Sequence, residues 1–284
     1  MKNDRGFTLV EMMISVAIFG IVMTGIYQTY DSQQKTYIKQ EQVIDMQQNH
    51  RTAIYFLGQE LKMAGYDPTE EADADLSTVS VIEPPGFNTA EINEFEITLD
   101  LNGDKNIDSN QDDNDPNEII RYALTNDADG DGISDAIDAD WVNSGAECNL
   151  GRENITLNGS VTSSGGIQPV ANNIDAVEFL YVLKDGTVTE SPSANELVDI
   201  RGIIVSVLAR TKNKIKGYRN THTYIPASRE TDAGGNYLIP DTQLTTTATR
   251  PDTSWGPFDD SYRRNLYISR FRCRNMGRNP HAGI

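Results

Sequence analysis

The sequence is poor in the residues that most often carry chemistry. In 284 residues it has two cysteines, Cys148 and Cys273, and three histidines, His50, His222 and His281, all widely scattered. No CxxC occurs, which excludes a local zinc knuckle or redox motif. GxSxG, HExxH, GxGxxG and the P-loop pattern are also missing, so no local arrangement points to a nucleophile, a metallohydrolase or a nucleotide site. The expectation is a protein that is not an enzyme. Basic residues are scarce as well. Lys and Arg total 24 against 42 Asp and Glu, a net charge of -18 that argues against a nucleic-acid partner. The two distant cysteines leave two readings open, a disulfide formed in an oxidising compartment or two unpaired buried thiols.

What the chain does have is one long apolar run near its start. From Phe7 to Tyr27 the only charge is Glu11, and about 20 such residues span a bilayer. Lys2 and Arg5 precede the run and favour retention of the N-terminus on the cytoplasmic side. A secretory signal peptide would have a shorter core and a small-residue cleavage site after it. Here the run passes straight into Thr29-Tyr30-Asp31. A plain anchor explains the length but not the acid, since a carboxylate at mid-membrane costs roughly 2.5–3.5 kcal/mol and calls for a named partner.

Residues Arg5 to Met13, RGFTLVEMM, resemble the class III signal of type IV pilins and pseudopilins. In that family a membrane peptidase cuts after the glycine, here Gly6, and the new N-terminus, here Phe7, is methylated. The resemblance implies a leader at 1–6 and a transmembrane segment at 7–27. It also gives Glu11 a partner, the Phe7 amine of a neighbouring subunit, and a paired buried charge is far less costly than a lone one. The implied partners are other pilins, major and minor, the prepilin peptidase and the inner-membrane assembly platform. The implied location is the inner membrane, single pass with a periplasmic head, and then a surface pilus. Gly20 and Gly25 read as ordinary glycines of a membrane helix, with close helix packing or local unwinding in a filament as the alternative.

The helix is expected to continue beyond the membrane. No proline occurs between Tyr27 and Ala64, and apolar residues recur at Tyr30, Tyr37, Val43, Met46, Ala53, Leu57, Leu61 and Ala64. Gly65 and Pro68 form the stop signal. A helix from Thr8 to Ala64 would be on the order of 85 Å long, and 28–66 is its amphipathic half. The segment HRTAIYFLGQELKMAGYDP resembles the end of the long helix in PilW-type minor pilins, and more loosely the J-type pseudopilins of type II secretion. Beyond it, 67–284 reads as a β-rich head. Strands are expected at Glu94–Leu99, Glu118–Leu124, Asp175–Leu183, Val198–Arg210 and Tyr262–Asn275, with a short one at Glu153–Asn158 and a surface loop over Asp232–Trp255. The fold class is α+β: a long N-terminal helix packed on an antiparallel sheet, with an acidic loop region.

Charge is unevenly placed. Between Asp67 and Asp140 stand 22 acids against 2 bases, whereas from Ser261 onward there are six arginines and no acid. The acidic insertion 100–140 contains DADGDGISDAID, which places Asp127, Asp129, Asp131, Asp135 and Asp138 at positions 1, 3, 5, 9 and 12 of an EF-hand-like loop. Gly132 falls at the sharp turn, and the Ile133 carbonyl would complete the ligand set. The stretch resembles thrombospondin type 3 and dockerin-like repeats. Calcium is the expected cofactor, because it takes six to eight hard oxygens in flexible geometry. A poorer copy, DLNGDKNIDSNQ, offers Asp100, Asn102, Asp104 and Asp108, with Lys105 at the glycine position. The functional expectation is a minor pilin that joins a type IV pilus and helps to start it. The alternatives are a J-type pseudopilin of a type II secretion system and a calcium-dependent adhesive head displayed on the pilus.

Overall fold

The computed structural model describes residues 7–68, 86–103, 107, 118–137, 145–158, 161–231, 235–239 and 254–277. The chain divides into two compact units between Ile44 and Asp45. A single helix, α1 (Leu9–Met63), runs through the division, one residue inside each of the expected ends. In the first unit its apolar window has a mean hydropathy of 2.2, is 0% buried within the chain, and is long enough to cross a membrane.

The part of α1 in the second unit buries Met46, Ala53, Leu57, Gly58 and Leu61, a stripe with helical spacing that faces the head. Tyr55 and Phe56 lie off the stripe and are exposed. Gly65, at φ +72°, takes the left-handed conformation that ends a helix. Its N–H donates to the Thr98 carbonyl and the Tyr66 carbonyl accepts from the Asp100 N–H, so the helix end is stitched to the first sheet.

Among the described residues the head has two antiparallel sheets, where the sequence predicts one. The first contains β1 (Phe87–Ala90), β2 (Phe95–Thr98), β3 (Ile119–Leu124), β4 (Asn149–Asn158), β5 (Val161–Ser164) and β6 (Gln168–Asn172). They run in the order β1-β2-β3-β4-β5, with β6 sharing the outer side of β4. The second is β10-β9-β7-β8, from β7 (Ile174–Leu183), β8 (Val188–Thr189), β9 (Ile200–Arg210) and β10 (Arg264–Arg272). The nearly continuous apolar run Ile203 to Leu208 lies in β9, between β7 and β10, as a strand covered on both faces should.

Alternation along the second sheet sorts its two faces. Phe179 packs edge-on to Phe95 and Tyr181 to Phe87, which joins the two sheets. Tyr267 stacks on His50 at 3.4 Å, and a Cβ on Gly58 would lie 2.7 Å from the Phe271 ring. Glycine at 58 therefore lets helix and strand approach closely. On the opposite face, Ala176 and Leu208 meet Ile133, Ile137, Trp255 and Phe258, while Leu180 and Ile204 meet Ala227 and Ile239. Loops thus form a third layer over this face.

Charge is buried where the loops join the sheet. Asp175 accepts from Arg210 at 2.8 Å and Arg264 at 2.6 Å, and Arg264 also bonds both oxygens of Asp260 at 2.7 Å. Glu178, buried on the loop-covered face, accepts from Ser206 and Ser228. A buried pair is weak evidence of net stability but is costly to break from one side.

The disulfide admitted by the sequence does not form: Cys148 and Cys273 are free and buried. The Cys148 carbonyl accepts from Ile174, which pairs with Ala209, whereas the Cys273 N–H donates to Arg201. The two thiols therefore sit at opposite ends of β9, roughly 25 Å apart at about 3.3 Å per residue. A disulfide needs Cα atoms about 4.4–6.8 Å apart.

Candidate functional site

Two regions carry the predicted site residues. The first is the start of α1. Gly6 lies outside the described residues, and Phe7 is 89% exposed. Thr8 stands just before the helix, and Glu11 is in its first turn. One oxygen of Glu11 accepts from the Thr8 N–H and the Thr8 hydroxyl, both at 2.9 Å, while the Thr8 hydroxyl accepts from the Glu11 N–H at 3.3 Å. This is a reciprocal capping box, T-x-x-E, which satisfies donors that a helix start leaves open. The pattern is readable in the sequence as Thr8-Leu9-Val10-Glu11. In the lone chain, then, Glu11 already has local work.

The second region is the acidic loop 126–137. It is tied to the outer edge of β7: the Val177 N–H donates to Gly132, the Ser134 N–H to Asp175, and Ile133 bridges Ala176. Ile133 and Ile137 anchor the loop in the core beneath. Gly132 is required twice over, by its φ of +79° and by the Val177 carbonyl, which would lie 2.5 Å from a Cβ.

On this anchored frame the side chains converge. Oxygens of Asp127, Asp129 and Asp135 lie within 4.8 Å of one another. One oxygen of Asp127 accepts from the N–H groups of Gly130 and Asp131, and the other from Gly132. Asp135 accepts from Ala128 at 3.0 Å, and Asp131 from Ile133 at 2.8 Å. Because the Ser134 N–H points to β7, the Ile133 carbonyl of the same trans peptide points away from that strand. Burial, then the neighbouring Asp131 and Asp129 carboxylates, push Asp127 up to about 7. Close carboxylates that hold one another's charge in check form an oxygen-rich site suited to a hard divalent cation. The sixth expected ligand, Asp138, lies outside the described residues.

Of the poorer loop, Asp100 and Asn102 are described; Asp104 and Asp108 lie outside the described residues. Asp100 is fully buried and accepts from the Gly103 N–H at 2.6 Å, while Glu118 accepts from Leu101. These bonds close a turn between β2 and β3. Of the histidines, His50 packs on β10 and His222 lies in the β9–β10 connection; His281 is outside the described residues.

The comparisons bear on the first region. Residues 1–27 match the family model for the prokaryotic N-terminal methylation motif. The N-terminal segment therefore carries the prokaryotic N-terminal methylation motif, and its apolar helix fits a chain anchored in a membrane. Among solved structures, the chain is similar to the type IV-like pilin TTHA1219 from Thermus thermophilus. That likeness has 12% identity and a TM-score of 0.40, and covers 81% of this chain and 97% of the other. No curated protein matches the chain.

Proposed function

We propose that this chain is a minor pilin, of the PilW type, incorporated into a type IV pilus and taking part in starting its assembly. The observation that carries the reading is the methylation motif over residues 1–27, leading without a break into α1. Cleavage after Gly6 would place a cationic amine on Phe7, and Glu11 would pair with that amine on a neighbouring subunit as the apolar helices bundle. The capping box adds a step: the carboxylate turns from its own helix start to its neighbour, or serves both. Other pilins, the prepilin peptidase and an inner-membrane platform are the partners this implies, with the head in the periplasm before assembly.

The acidic loop is proposed as a calcium site held by Asp127, Asp129, Asp131, Asp135 and the Ile133 carbonyl, with Asp138 following. Its support is the convergence of three carboxylates on a loop already anchored to β7. Calcium would order the loop surface of the head and fit it to adhesion. The test of the main reading is piliation with Glu11→Ala. The variant should be processed and inserted but absent from sheared filaments; normal incorporation would contradict the mechanism.

A further inference from the structure

Most sheet edges of this head are short or covered. Among the described residues β1 and β5 have 4 residues each, β6 has 5 and β8 has 2. The part of β7 beyond β8 is capped from outside. Its Phe179 N–H donates to Ile92, its Val177 N–H to Gly132, and its Asp175 carbonyl accepts from Ser134. β10 is different. It is the outermost strand of the second sheet, runs 9 residues without a proline, and pairs with β9 with no shift of register. Strands of that kind are ordinarily shortened, bulged or covered, because their open main-chain groups can pair with any extended chain.

The pairing with β9 fixes which groups are open. Thr211 donates its N–H to Arg263 at one end of β10, and Cys273 donates to Arg201 at the other. In an antiparallel ladder the bonded pairs alternate. Asn265, Tyr267, Ser269 and Phe271 therefore bond to β9, while Leu266, Ile268, Arg270 and Arg272 turn their N–H and C=O groups away from it. The Arg264 carbonyl, also on the outer side, accepts from the Tyr224 hydroxyl at 3.3 Å. The outward main-chain groups of the other four have no bonded partner among the described residues. Their side chains share one face, where Leu266 packs on the Trp255 cluster and Ile268 beside Ile239. Arg270 and Arg272 are exposed. Arg270 pairs with Glu230, while Arg272 and the exposed Arg274 beyond it make no ion pair among the described residues. The open edge is thus apolar along one half and cationic along the other.

We propose that the outer edge of β10 takes up an extended acidic segment of another polypeptide, which adds a strand to the second sheet. Main-chain hydrogen bonds supply the attachment, and carboxylates beside Arg270 and Arg272 select the partner. Antiparallel addition, the commoner kind, places the beginning of that segment beside the arginines. The same charges disfavour a second copy of β10. Two such strands paired about Ile268 would set Arg272 opposite Arg264, and like charges directly opposite are destabilising. The proposal concerns the head alone and rests on neither the pilin nor the calcium reading.

The test uses the full chain in detergent micelles, with amide hydrogen exchange resolved to single residues. The probe is a synthetic peptide, Glu-Val-Glu-Val-Thr-Val-Thr-Val, blocked at both ends. One control peptide carries Lys in place of Glu, and another carries N-methyl groups on its pairing amides. With the acidic peptide in excess, exchange at Leu266, Ile268, Arg270 and Arg272 should slow about tenfold or more. Tyr267 and Ser269, already bonded to β9, should change little. Neither control should slow exchange. Arg272→Glu should weaken the acidic peptide roughly fivefold, and Arg272→Gln, which keeps the length of the side chain without its charge, by less. Unchanged exchange at the four outward amides of the native chain overturns the proposal, as does equal slowing by either control peptide. Slowing that appears without peptide as the chain is concentrated also overturns it and assigns the edge to a second copy.

Discussion

Thr8 and Glu11 satisfy each other at the start of α1, with one carboxylate oxygen accepting both the N–H and the hydroxyl of Thr8 at 2.9 Å. An acid at this position therefore has two separable uses, a cap for its own helix and a charge for a neighbour. Glu11→Gln divides them, since glutamine can fill the same place in a capping box. The variant should insert and be processed like the native chain yet fail to enter filaments. If it enters normally, the cap suffices and the charge is dispensable.

Gly132 should tolerate no side chain. Gly132→Ala would place a Cβ against the Val177 carbonyl at a φ of +79°. The expected loss is about 2 kcal/mol or more, from left-handed strain and overpacking together. Thermal melting of the full chain in detergent measures it. Gly130→Ala is the companion: φ is also positive, at +75°, but the nearest atom is an Asn93 side chain at 3.5 Å. It should cost less.

Calcium at millimolar concentration should raise the melting temperature of the native chain. Extracellular calcium modules bind at on the order of 10⁻⁴–10⁻³ M, so millimolar calcium, at about 1–10 times such a Kd, should stabilise by about 0.4–1.4 kcal/mol. Asp127→Asn should abolish the response, because Asp127 meets Asp129 and Asp135 at the convergence point. Calorimetry showing no heat with the native chain would remove the site.

The seam between α1 and β10 should weaken in acid. Burial, and secondarily Arg51, lower His50 from 6.5 to about 4. Between those values the unfolded chain binds a proton that the folded chain refuses, so stability is lost as pH falls from about 6.5 to 4. His50→Phe keeps a ring against Tyr267 and removes the titration. Its melting temperature should fall less steeply across that window than that of the native chain.

Asp175→Ala would leave Arg210 and Arg264, each at most 2% exposed, without their shared carboxylate. Removing one partner of a buried ion pair costs about 3–5 kcal/mol. Chemical denaturation of the full chain should show a loss of that order.

The long helix was legible to within a residue because its signals are local: an uninterrupted apolar run, no proline, and glycine at the stop. The strands β2, β3, β7, β9 and β10 were legible from alternation and β-branched content. β1, β6 and β8 were not. Their sequences FNTA, QPVAN and VT have too little apolar pattern, and partners supplied by the fold hold them in place. The division into two sheets depends on contacts such as Phe95 with Phe179, far apart in the chain. The spacing of aspartates located the loop, but its support on β7 through Gly132 and Ser134 is a tertiary fact. The arginines of β10 were visible as residues; that their strand is an edge could come only from the order of the sheet.

The mature N-terminus is the most direct test of the pilin mechanism. Intact-mass and N-terminal peptide spectrometry of the chain, isolated from cells that hold a prepilin peptidase, should find Phe7 as the first residue, bearing one added methyl. A chain that still begins at Met1, or one trimmed well past Phe7, would contradict it.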